Sequence, residues 1–370
     1  MTDLTQLGLS ELTALIRAGQ VTPSKVMSAH LDRIAKSHNH GDLFQFLDPD
    51  RALRRARLLD VQPSDGALHG VPFVVMDTID TRGMPTSWGT SLYANRVPER
   101  NAPCVERLIT AGAVAMAKTA VPPFALNTGG GPTAEVVNAF MASFALCSGS
   151  DLVPDVATFK PTRSGSELRG VMTLSPTLDR ICILARTLSD LRPVLSDLRG
   201  EPIGHPIVAP KVGILLDPSA DATLAQIDTT ACRRIDLTYP EAFRGLAKAH
   251  DTIRTYEAAR SRAAEAALGP RRVGQQLCDL VTAGTAISDK TYTEAMDHHQ
   301  TAQAELDQLL ADVDGLLLSA ACPAFNEMSN PCVTLPQRGP HHFQLIGRQG
   351  QDTQLLDIAC RIFGQAQHPD

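Results

Sequence analysis

Apolar residues recur at helical spacing near the start of the chain, and the pattern predicts two helices over residues 8–38. Ser10 is placed to cap the first, which carries Leu12, Leu15 and Ile16 and stops at Gly19. Thr22-Pro23 opens the second, with Val26, Met27, Leu31 and Ile34 on one face. The unbroken apolar run 71–75 then reads as a buried strand ending at Met76. An amphipathic helix over 103–111 and a strand over 113–117 follow, with Lys118-Thr119 beginning a loop. Past Thr162 the pattern predicts short elements at 170–174, 189–198 and 212–216, a mostly helical stretch over 220–310, and core strands at 316–318, 333–335 and 343–346. Such alternation predicts an α/β fold with helices on both faces of one sheet. No composition shift marks a second domain, so residues 1–370 read as a single unit.

Candidate chemistry concentrates in 126–162. Two glycine-bearing turns, Gly129-Gly130-Gly131 and Ser148-Gly149-Ser150, flank a small-residue segment of helical character. Glycines in such turns let backbone amides converge, because no Cβ blocks a positive φ. A hydroxyl held in that nest, Ser150, has the form of an acyl-transfer nucleophile beside an oxyanion hole.

The surrounding blocks give this stretch a context. They run Leu68-His-Gly-Val-Pro-Phe-Val-Val-Met76-Asp77, Ala117-Lys-Thr119, Phe159-Lys-Pro-Thr162, Leu174-Ser-Pro-Thr-Leu-Asp179 and Gln344-Leu-Ile-Gly347. In that order the chain resembles the amidase signature family. The resemblance implies a mixed central sheet and a triad of a lysine, a bridging serine and a nucleophilic serine. At the lysine position stands Met76, and a thioether takes no proton at any useful pH. Where the bridging serine is expected, the chain has glycines, Gly129 or Gly131 according to register, with Thr128 and Thr133 nearby. Alternatively, that serine run is deleted outright. Ser150 matches the nucleophile. Leu146 and Leu152 replace the Asp and Arg that the family carries around it, and the segment after Pro154 is shorter.

Three readings follow. The chain binds a small amide- or acyl-type ligand, or supports a partner enzyme, without conventional amidase activity. It carries rewired acyl-transfer chemistry, with Cys147, Ser148, Gly149, Asp77 and Thr128 around the pocket and Asp77, Lys118, Cys147 or a histidine moving the proton. Or Ser150 is a working nucleophile with an unidentified base. Asp77 is expected chiefly to cap a turn. His298-His299 is expected to face solvent, and His341-His342 to sit at a strand edge. Composition changes little: a net charge of −6 gives no basic footprint for nucleic acid. Nothing in the sequence has the length and apolarity of a membrane span. No metal-ligand spacing or cofactor fingerprint is present. Eight cysteines without a CxxC pair fit a reduced, cytoplasmic chain, and the expected partners are the small ligand, a second copy of the chain or a partner enzyme.

Overall fold

The structure is a computed structural model that describes every residue except 1, 39, 64–65, 127–130, 150–155, 165–167, 201–206, 217–229, 320–322, 336–342 and 364–370. The first helix spans Leu9–Arg17 and the second Pro23–Lys36. Thr22 caps the second as its sequence predicts, its Oγ1 accepting from Lys25 N at 3.3 Å. Ser10 does not cap the first. That end is held by Asp190, whose Oδ1 accepts from Leu9 N at 2.6 Å, a tertiary cap supplied from 181 positions away. Gly19, at φ 68°, turns the chain after the first helix, as expected.

Among the described residues there are eleven strands, β1 (Phe44–Leu47), β2 (Pro72–Met76), β3 (Val114–Thr119), β4 (Phe144–Ser148), β5 (Ala157–Lys160), β6 (Ile181–Ala185), β7 (Lys211–Leu216), β8 (Arg233–Thr238), β9 (Gly315–Ser319), β10 (Cys332–Leu335) and β11 (Phe343–Ile346). They form one sheet in the order β1-β3-β2-β4-β6-β5-β10-β11-β9-β7-β8. β2 runs parallel to β3 and β4, whereas β4–β6 and β5–β10 are antiparallel, so the sheet is mixed, as the family resemblance implies. Every residue of β2, β3 and β6 is buried. Successive side chains on a strand point to opposite faces, so both faces of the sheet are covered.

Several expected boundaries shift. Lys118 and Thr119 close β3 rather than beginning a loop. Residues 170–174 are no strand, contributing only a bridge between Val171 and Ile79. The mostly helical 220–310 stretch contains β8, followed by helices Leu246–Ser261, Gln275–Thr285 and Asp289–Asp312. Helix Gly131–Asn138 matches the helical character expected there, and β4 follows it directly. Pairs Val75–Leu146 and Cys147–Cys182 place Met76, Cys147 and Cys182 level with one another on one face, at the end where β2 and β4 stop.

Candidate functional site

β2 delivers Met76 to the parallel strand end at which α/β folds gather ligand-contacting side chains. It is 5% exposed, and its Sδ lies 3.5 Å from the backbone N of Ser148. One hydroxyl pair closes the same corner, Thr78 Oγ1 and Ser148 Oγ at 2.8 Å. Gly149 N donates to Arg180 O at 3.0 Å. The amides of Ser148 and Gly149 therefore point at separate partners, which departs from the convergent nest expected over 147–150. Ser150, Thr128 and Gly129 lie outside the described residues, as do Leu152 and His341-His342. Gly131 begins helix Gly131–Asn138, and Thr133 turns inward to Thr119, their hydroxyls 2.7 Å apart.

Asp77 is fully buried, and its carboxylate accepts from Ser87 Oγ at 2.6 Å, from Ser87 N and from Gly89 N. Burial pushes this carboxyl up, against the pull of Lys118 and those donors. Asp77 thus builds the Ser87–Gly89 turn. Lys118 is equally buried, its Nζ donating to Ile79 O and to Thr86 Oγ1 at 3.1 Å. Burial pushes Lys118 down to about 8, although Asp77 and Asp80 oppose the shift. Its side chain is on the face opposite Met76, because it pairs in register with Val75.

Cys147 is not an unpaired thiol: it is joined to Cys182 by a disulfide, with Cα atoms 5.2 Å apart. This corrects the expectation of wholly reduced cysteines. Sequence spacing hides the pair, because the two are 35 positions apart and meet only through the β4–β6 register. Arg180 carries no local signal for a similar reason. Its buried guanidinium donates to the carbonyls of Met328, Pro161 and Asn330, tying the chain that leaves β5 and the chain that enters β10 to the residue that holds Gly149.

Asp179 shapes the turn before Arg180, its Oδ2 accepting from Leu174 N at 2.7 Å and Ser175 N at 3.1 Å. Burial pushes this carboxyl up to about 6. A group whose folded pKa is raised stabilises below its unfolded pKa and loses that contribution as pH rises through the folded value. Stability is thus expected to fall between about pH 4 and about pH 6 by up to about 3 kcal/mol at 1.36 kcal/mol per unit. Asp179→Asn, which keeps an acceptor oxygen, should flatten that slope in urea titrations at stepped pH; an unchanged slope would remove Asp179 as its source.

The histidine pair also departs from expectation. His299 is buried, its Nδ1 2.8 Å from Nε2 of His250, which in turn lies 2.8 Å from Glu327 Oε2 through Nδ1. Burial pushes both imidazoles down to about 4, so they are neutral near pH 7. In the sequence, 298–299 reads only as part of a polar helical stretch. Among the described residues no group of three His, Cys, Asp or Glu side chains could hold a metal ion. No helix among them is long and apolar enough to cross a membrane.

Residues 25–150 match the family model described as Amidase. Over 223 residues the chain is 33% identical to the A subunit of the glutamyl-tRNA(Gln) amidotransferase of Acidothermus cellulolyticus, covering 51% of this chain and 44% of that protein. The chain spans about half the length of the curated relatives it matches. Among solved structures, a crystal structure of an amidase superposes with a TM-score of 0.84 at 23% identity, over 97% of this chain and all of that one. A protein from a vestigial complex bearing on the origins of an s-triazine catabolic enzyme superposes at 0.83 and 18% identity, over 97% of this chain and 98% of that one. At these identities the structural likeness speaks for the fold.

Proposed function

We propose that the chain is a member of the amidase signature family that binds a small amide- or acyl-type ligand, on its own or in support of a partner enzyme, without acting as a Lys–Ser–Ser amidase. The observation that carries this reading is Met76, a buried thioether set against Ser148 N where the family's proton-accepting lysine is expected. A serine hydroxyl needs a neighbouring base to become a nucleophile. Among the described residues, two candidate bases are committed elsewhere, Lys118 to Ile79 O and Thr86, and Asp77 to the Ser87–Gly89 turn. In hydrolases stripped of their triad, binding and the oxyanion hole alone leave roughly 10³–10⁴-fold over water. That corresponds to about 4–5.5 kcal/mol of barrier lowering. The partner arm draws support from relatives whose names make them one component of an amidotransferase.

Acetamide and benzamide should raise the melting temperature saturably while ammonia release stays at background. A serine-directed fluorophosphonate should label Ser150 slowly or not at all. Stoichiometric labelling within minutes, or steady ammonia release, would show that a base is present and replace this reading with that of a working amidase.

A further inference from the structure

One residue beyond Met76, Asp77 holds the Ser87–Gly89 turn, and the residue at the apex of that turn is Trp88, whose N donates to Asp77 O at 3.4 Å. Trp88 O accepts from Phe124 N at 2.8 Å, which joins this turn to the segment leading into the glycine-rich stretch. Trp88, Phe124 and Ala125 take φ values of 56°, 55° and 53°. The left-handed region is costly for residues with a Cβ and persists where the surroundings over-determine it, commonly around ligand sites. Phe124 is hydrogen-bonded to Trp88 and Ala125 follows it in the chain, so the three form one built surface, held against its own preference.

The indole is clamped. Tyr93 packs at 4.5 Å between centroids, and the guanidiniums of Arg96 and Arg262 stand 5.0 and 5.5 Å from its ring. Both cations are already neutralised, Arg96 by Asp80 at 2.7 Å and Arg262 by Glu265 at 2.9 Å. They fix the ring without calling for an anion, so the occupant that suits the surface is uncharged. Around Trp88, the half-buried side chains of Leu92, Ala125, Leu126 and Leu174 pack on buried Phe124 and Met172. Trp88 Nε1 is buried with no hydrogen-bond partner, although a buried indole N–H ordinarily finds an acceptor.

We propose that Trp88 is the specificity-determining residue of the site, selecting neutral amides whose acyl part is a flat aromatic or bulky apolar group and leaving small aliphatic amides weakly bound. The apolar group packs on the indole and its half-buried neighbours, and a ligand carbonyl is the acceptor that Nε1–H lacks. This inference rests on the amide-binding reading and narrows it to a ligand class.

Trp88 is the chain's only tryptophan, so intrinsic emission reports this position alone. Benzamide and acetamide are titrated while tryptophan emission is followed, with calorimetry measuring affinity independently. Benzamide should change the emission saturably and bind at least about tenfold more tightly than acetamide, the scale expected for burying an aromatic ring. Trp88→Leu should erase the preference for benzamide, leaving the two amides with similar affinity, and should weaken acetamide as well because its carbonyl loses the N–H donor. Trp88→Phe, which keeps a ring but removes the N–H, should keep part of that preference and serves if the leucine variant does not fold. Equal affinities in the parent protein, or benzamide binding with unchanged emission, would overturn the role of Trp88 while leaving amide binding intact. Calorimetric silence for both amides would overturn the amide-binding reading and this inference with it.

Discussion

Reduction of the Cys147–Cys182 bond should lower the unfolding free energy by about 4 kcal/mol, the chain-entropy value for a closed loop of this size. The two residues are separated by 35 positions, and the bond removes that loop's freedom from the unfolded chain. In the folded state the cross-link is backed by β4–β6 pairing from Phe144–Ala185 to Ser148–Ile181, so reduction should leave the fold in place. Both sulfurs are almost wholly buried, at 5% and 3% residue exposure, so reductant acts once the chain opens. Denaturant midpoints with and without dithiothreitol measure the difference, and Cys182→Ala should reproduce the reduced value. Coincident midpoints, together with alkylation of all eight cysteines in denatured but unreduced protein, would mean the bond does not form and would return the cysteines to the reduced state that their spacing suggests. The bond also sits one residue before Ser148, so its loss should loosen the corner where Met76, Thr78 and Ser148 meet.

What the sequence disclosed, and what it withheld, follows from the range of the interactions involved. Helix Pro23–Lys36 was legible because its cap, its proline and its apolar stripe are local. The cap of helix Leu9–Arg17 was not, because Asp190 provides it through tertiary contact. β4 was hidden as well. It follows the preceding helix with no proline or glycine between them, and the turn is made instead by Phe140 at φ 59°. β8 carries polar residues in a half-exposed strand, which weakens its periodic signal. At the site, Met76, Asp77 and the Cys147–Gly149 stretch stood out by pattern, and the structure gathers them at one strand end. Thr78, Cys182, Arg180 and Trp88 join them only through register and turn geometry. Their identities carry no local mark of that role. The buried His250–His299–Glu327 chain is the extreme case, since its members come from three separate elements and each alone reads as a solvated polar residue.

Restoring the missing triad residues should not restore an amidase. Met76→Lys combined with Gly131→Ser, or with Gly129→Ser if the register differs, is expected to leave amide hydrolysis at background and to lower stability by several kcal/mol. Position 76 is buried, and the hydrogen-bond partner of its sulfur is an N–H donor, the Ser148 amide at 3.5 Å. A lysine ammonium there would meet a donor where it needs an acceptor, and an unpaired buried polar group costs about 2–7 kcal/mol. Burial would also push the new lysine down in pKa, so part of the cost would be met by deprotonation. Gly131 sits at φ 26°, so a serine there has room for its Cβ but adopts a strained backbone. The nucleophile's own support is altered too: Leu146 is fully buried in the core where the family resemblance places an aspartate, and Gly149 N is already bonded to Arg180 O. A displacement of about 1 Å in a reacting group can cost on the order of a hundredfold in rate. Ammonia release from benzamide and urea midpoints of the double variants provide the measurement. Robust turnover by either one would show that the loop bearing Ser150 had kept its catalytic geometry, and that exchange of the lysine and the bridging serine was the whole of the change.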